Sequence, residues 1–142
     1  MAVYVVDASV AMHYLIADTY TSNAKAFFNS VASQDRLLIP EFCLMECTNV
    51  LWKQVRFFGM SQVDAEELLR DLYRLPLKRS PVKRLLRTAL EIGLKHKLAI
   101  YDSVYIALAL QSNAPLLTVD QPQTRAAAAE GITLIPITNF IP

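Results

Sequence analysis

The sequence predicts an α/β domain in three layers, α/β/α, with helices covering a mostly parallel central sheet of four to five short strands. Runs rich in β-formers, Val3-Tyr4-Val5-Val6, Arg36-Leu37-Leu38-Ile39 and Leu116-Leu117-Thr118-Val119, alternate with helical patterns, as strands joined by crossover helices do. These runs are largely apolar on both faces, which is how buried parallel strands read. The stretch Val104-Tyr105-Ile106-Ala107-Leu108-Ala109-Leu110 has no polar interruption, and a helix that is apolar all round is a buried one. At 142 residues the chain suits a single domain, 1–142, with a core of its own.

In chain order, the first strand ends at Asp7, and a short helix starts near Ser9. A second helix runs from about Ser22 to Ala32, with Ala24, Phe27, Phe28 and Val31 as its inner stripe. Arg36–Ile39 is the second strand. Pro40 is expected to open a long helix to about Phe57, since proline suits a first helical turn; Glu46 interrupts its apolar face. Ser61-Gln62-Val63-Asp64 resembles a capping box ahead of a helix Asp64–Tyr73. Leu75-Pro76-Leu77 is a possible third strand, at an edge because proline cannot donate to a ladder. Pro81 starts a helix to about Lys97. The helix after Tyr101 stops at Asn113-Ala114-Pro115. Strand Leu116–Val119 ends at Asp120, a helix Gln123–Glu130 ends at Gly131, and Ile132–Ile135 is a last strand. The order reads β-α-α-β-α-α-β-α-α-β-α-β, with no internal repeat and no linker.

The composition, 54% hydrophobic and 19% charged, excludes disorder. Three glycines and no glycine-rich motif argue against a phosphate-cradling loop. The net charge of +1 conceals a pattern: residues 1–50 carry −3, residues 51–100 carry +6 and residues 101–142 carry −2. Cys43 and Cys47 share a helix face, a spacing suited neither to zinc nor to a disulfide. They read as small core residues in a reducing cytoplasm. The apolar start of the chain is broken by Asp7 and lacks a basic n-region, so it does not read as a secretory signal. No run approaches the ~20 residues of a membrane span.

Asp7 and Asp120 both follow short buried strands, and in an open parallel sheet sites form beyond the carboxyl ends of strands. Asp102 stands at the N-terminal turn of the helix that feeds the Asp120 strand, where the helix dipole favours an anion. Each acid alone has an ordinary reading: Asp7 and Asp102 as caps, Glu46 as a surface acid, Asp120 as a turn residue. Together they predict four carboxylates converging on one end of the fold with no basic partner nearby in sequence. Such a cluster repels itself, so at least one pKa should rise. Hard oxygen ligands without His or Cys suit Mg²⁺, or Mn²⁺ as substitute. Ser9 and Thr118 place hydroxyls two residues from Asp7 and Asp120. His13 and His96 read as surface or satisfied residues.

Four motifs carry a resemblance: Val6-Asp7-Ala8-Ser9; Pro40 with Glu46, Asn49, Val50 and Leu51; Tyr101-Asp102-Ser103 with Tyr105 and Ala107-Leu108-Ala109; and Leu117-Thr118 with Asp120. In this order they resemble the PIN-domain ribonucleases, with toxins of the VapC type nearest in size and motif. The resemblance implies a parallel sheet flanked by helices, Mg²⁺- or Mn²⁺-dependent endonucleolytic cleavage of RNA, a homodimer and, for a toxin, a cognate antitoxin. It implies that Asp7, Glu46, Asp102 and Asp120 bind metal and are catalytic, with Ser9, Asn49 and Thr118 supporting. Glu41, directly after Pro40, does not fit the motif. Gln121-Pro122-Gln123 departs from the family's usual charged and aromatic continuation. Lys53, Arg56, Lys78, Arg79, Lys83, Arg84 and Arg87 are candidates for RNA phosphates, or a solvated helix face. Phe57-Phe58 and the Asp64–Tyr73 helix read as core packing, with a dimer or antitoxin groove as the alternative. Two rival functions remain: a PIN-like binding module without turnover, and a phosphohydrolase with Asp7 as covalent nucleophile. The second is weakened because Ser9 stands where a second Asp is usual.

Overall fold

The computed structural model describes residues 1–142. Four strands, β1 (Val3–Val6), β2 (Arg36–Pro40), β3 (Leu77–Ser80) and β4 (Leu116–Leu117), form one sheet in the order β3-β2-β1-β4. All three pairings are parallel, with Val5 opposite both Leu38 and Leu116. Seven α-helices flank it: α1 (Ala8–Leu15), α2 (Thr21–Ser30), α3 (Cys43–Phe57), α4 (Gln62–Arg74), α5 (Leu86–His96), α6 (Ile100–Ser112) and α7 (Gln121–Ala129). The α/β class and parallel sheet are as the sequence predicts.

The core is built around α6, which packs against β1, β2 and β4. Residues Ser103 to Ala109 are all buried, as an uninterrupted apolar run requires. Tyr4 of β1 meets Phe27 of α2 edge to face at 5.7 Å. Cys43 and Cys47 are free and buried on one face of α3, the small-residue role expected of them. Asn113 ends α6 with a left-handed backbone, φ 49°, and Gly131 follows α7 with φ 80°.

Several boundaries differ from the sequence reading, each for a local reason. Pro40 closes β2 instead of opening α3: its last-rung donor is the Glu41 N–H, bonded to the Ser80 carbonyl at 2.9 Å, so the ladder needs no N–H from Pro40. Leu75 caps α4, which pushes the edge strand past Pro76 to Leu77–Ser80. Helix α7 begins at Gln121, with Pro122 in its first turn. Strand β4 stops at Leu117 because the Thr118 hydroxyl accepts the Asp120 N–H at 3.1 Å, a local bond that competes with the ladder. With β4 so short, Ile132–Ile135 does not become a strand; only Leu134 bridges Leu116. Pro81 leads into a 3₁₀ turn, Lys83–Leu85, before α5.

One glycine is needed for packing. A Cβ at Gly93 would stand 2.9 Å from the Leu98 carbonyl oxygen and 3.0 Å from Ile100 Cδ1, where α5 turns back into α6. The carbonyl belongs to the backbone and cannot rotate away. Gly93→Ala is expected to destabilise by about 1 kcal/mol net, the strain of overpacking exceeding the gain in helix propensity. Thermal unfolding followed by circular dichroism reads this directly.

Candidate active site

The sheet delivers two of the acids to one rim. Val6 and Leu117 are paired neighbours on β1 and β4, so both strands end together, about 4.8 Å apart. The next residues turn into α1 and α7. Asp7 caps α1, its Oδ2 accepting the Ser9 N–H at 3.1 Å. Asp120 caps α7, its Oδ2 accepting the Gln123 N–H at 2.9 Å. The ordinary capping role and the place at the rim coincide for both, because a strand that ends into a helix on a parallel sheet needs a cap at that point.

Glu46 comes from the first turn of α3 and Asp102 from the first turn of α6. Asp102 is not a cap; that position is Ala99, which makes no side-chain cap bond. All four carboxylates line one cleft, together with Ser9, Asn49, His13, Asp18, Gln54 and apolar residues of α1 and α3. Thr118 is instead buried below the cleft floor, where its Oγ1 donates to Gln123 Oε1 at 2.7 Å and lies 3.3 Å from Asp7 Oδ2. Glu41 is not among the lining residues.

The cleft holds its acids at an electrostatic cost. Burial pushes Asp7 above the usual carboxylate range, against hydrogen bonds from Ser9, Gln123 and Thr118 that pull it down. Burial, helped by the charges of Asp7 and Asp102, lifts Glu46 to about 7 despite the Tyr105 hydrogen bond. Burial and the charges of Asp7 and Asp120 lift Asp102 to about 6. Burial is the larger cause throughout, and at Glu46 and Asp102 the neighbouring acids add the repulsion expected of such a cluster. Folded-state values above unfolded ones mean that the native state holds extra protons between about pH 4.5 and 7, so stability falls as pH rises through that window. Thermal melts in chelator at pH 5 and pH 8 are expected to give the higher midpoint at pH 5.

The four carboxylates are hard oxygen donors, and no cation from Lys or Arg lies in the cleft, a set that fits Mg²⁺ or Mn²⁺. No three of the acids stand at the spacing of a tight metal cage. An ion that keeps most of its water and takes one or two direct carboxylates needs no such cage.

Two residues of the site escape a reading by pattern. Tyr105, fully buried in α6, donates from its hydroxyl to Glu46 Oε1 at 2.7 Å. It reads as one more apolar residue of a buried helix, yet a buried tyrosine hydroxyl needs a partner, and that need was the available signal. Gln123, also fully buried, donates from Nε2 to the Asp102 carbonyl at 3.1 Å and lies 3.4 Å from Asp7 Oδ1. Its segment was visible only as a departure from a motif. The seven central basic side chains are all exposed, and none lines the cleft.

The PIN domain pattern matches residues 4–129. The chain belongs to the PIN-domain family. Among curated PIN relatives, it is 29% identical over 119 residues to Ribonuclease VapC3 of Pyrobaculum aerophilum, covering 82% of this chain and 88% of that one. It is also 29% identical over 133 residues to Ribonuclease VapC9 of Mycobacterium tuberculosis, covering 93% and 98%. Solved PIN folds are similar at lower identity. VapBC2 from Rickettsia felis, bound to a DNA fragment from its promoter, superposes with a TM-score of 0.70 at 13% identity over 94% of this chain and 98% of that one. Mycobacterium tuberculosis VapC20, described as a sarcin-ricin loop cleaving toxin, gives 0.68 at 16% over 87% and 94%.

Proposed function

We propose that this PIN domain is a Mg²⁺- or Mn²⁺-dependent endoribonuclease, the toxin of a toxin–antitoxin pair. The observation that carries the reading is the meeting of Asp7, Glu46, Asp102 and Asp120 in one cleft without a compensating Lys or Arg. Relatives named as VapC ribonucleases at 29% identity across most of the chain support the substrate class.

In this reading the four carboxylates hold the ion, directly or through its waters. When bound, Mg²⁺ or Mn²⁺ supplies the positive charge that draws a phosphodiester into an anionic cleft and makes water a usable nucleophile near neutral pH. The protein's part is orientation. Tyr105 fixes Glu46 from the α6 side, while Gln123 and Thr118 brace Asp7 from below. Because Tyr105 is buried, its hydroxyl pKa is pushed up and it stays a donor. Asn49 and Gln54 place uncharged amides on the α3 wall, available to RNA hydroxyls and phosphates.

A toxin needs restraint, and the surface fits a protein partner. Trp52, Val55, Phe57, Phe58 and Val63 are exposed on α3, α4 and the turn between them. Phe57 and Phe58, at 61% and 72% exposure, are not core residues as their sequence suggests; the helix turns them outward at its C-terminus. Trp52 and Phe57 meet edge on at 5.7 Å; exposed apolar groups gathered in this way mark interaction sites, and here they suit an antitoxin or a second copy of the chain.

The test is incubation of purified protein, freed of any bound inhibitor, with a mixed RNA pool. Internal cuts with Mg²⁺ or Mn²⁺ and none with chelator are expected. Intact RNA under both conditions would leave a PIN-fold binding module without turnover.

A further inference from the structure

The candidate cleft contains one side chain able to carry positive charge, His13. It stands in the last turn of α1, one turn beyond Ser9. Ser9, Met12, His13 and Ile16 form a single stripe along the cleft wall, at the spacing that aligns residues on a helix face. Ser9 marks the acid end of that stripe, its N–H bonded to Asp7. His13 is therefore about 5–6 Å further along the wall, beside the carboxylates and not among them.

The imidazole is held from two sides. Its Nδ1 is bonded to Asp18 Oδ2, and its ring meets Tyr20 edge on, with centroids 5.3 Å apart. Asp18 is itself fixed: its Oδ1 accepts the Tyr20 N–H at 2.9 Å, and its own N–H donates to Thr21 Oγ1 at 2.9 Å. That hydroxyl donates back to the His13 carbonyl at 2.6 Å. Nε2 makes no hydrogen bond within the protein. Tying the loop to α1 uses Nδ1 alone, which leaves Nε2 free.

We infer that His13, oriented by Asp18, binds a phosphate of the RNA next to the one that is cut, through Nε2–H. The inference rests on the ribonuclease reading and adds a substrate contact to it. A cleft lined by carboxylates repels an incoming polyanion everywhere except where an ion or a donor stands. Protonated imidazole gives a charge-assisted bond to phosphate. With Nδ1 committed to Asp18, a phosphate is met by Nε2–H, so the imidazole that binds it carries both ring protons. In this assignment the scissile group meets the acids while its neighbour along the strand meets His13.

The experiment uses a short RNA cut at one site, and the same RNA with a single uncharged methylphosphonate at each phosphate flanking that site. Against the wild-type chain, His13→Gln is expected to raise KM about tenfold with kcat within about twofold, the signature of a lost binding contact. His13→Arg is expected to restore most of the loss. One flanking methylphosphonate should raise the wild-type KM about as much and add nothing to His13→Gln. Equal KM for His13→Gln and wild type, or penalties that simply multiply at every flanking position, would overturn the assignment. Should His13→Gln fail to fold, a wild-type KM indifferent to every flanking methylphosphonate overturns it equally. If the wild type binds the RNA but cuts nothing, the ribonuclease reading fails on its own. The ratio of dissociation constants then decides the contact: about tenfold supports it and unity removes it.

Discussion

Asp102→Asn is expected to lose at least about 100-fold in RNA cleavage while raising the melting temperature of the metal-free protein at pH 8. Losing a residue that only supports a metal ligand typically costs 10–100-fold, so losing one of the carboxylates proposed to hold the ion costs more. The gain in stability follows from the same charge. The Asp102 carboxylate makes no hydrogen bond with the protein, is half-buried, and is lifted to about 6 by burial and by Asp7 and Asp120. Asparagine keeps the shape and removes a repelling charge, so Glu46 ionises more easily and the native state is relieved. Cleavage assays and calorimetry on one preparation read both effects. An inactive variant with a lower melting temperature would point to a damaged fold and not to a lost ligand.

The second large effect is on stability. Gln123→Leu is expected to destabilise by about 2–4 kcal/mol, lowering the melting temperature by roughly 10 °C. Leucine matches the buried volume, so the loss is chiefly polar. The Gln123 amide bonds the Thr118 hydroxyl and the Asp102 carbonyl and braces Asp7. Without it, three polar groups near the cleft floor lose a partner, and unmade bonds in a buried network cost more than the bonds contributed. Thermal unfolding in chelator measures this apart from any metal. A change under 1 °C would mean that these groups find other partners.

What could be read without coordinates divides along the reach of each signal. Strand β1, the buried run of α6, and the acids at strand ends were legible because each follows from local hydropathy and from where parallel strands stop. Pro40 misled because proline serves both a strand end and a helix start, and only its neighbour across the sheet, Ser80, decides between them. Phe57 and Phe58 misled because hydropathy says what is apolar, not which way a helix end turns it. Tyr105 and Gln123 act through partners 59 and 116 residues away in sequence, and such pairing leaves no periodic trace. His13 reads as a surface or satisfied residue; Asp18 does bond its Nδ1, but its place on the cleft wall depends on how α1 lies against α3.

The central claim, that Asp7, Glu46, Asp102 and Asp120 share a divalent ion, is tested most directly by titrating Mn²⁺ and following its electron paramagnetic resonance signal together with the melting temperature. The wild type is expected to quench the free-ion signal saturably and to melt higher as Mn²⁺ rises, by the stabilisation that native-state binding confers, about 2.7 kcal/mol at a hundredfold excess over Kd. Asp7→Asn should do neither at the same concentrations. An unquenched signal and an unmoved melting temperature for the wild type at millimolar Mn²⁺ would contradict the claim.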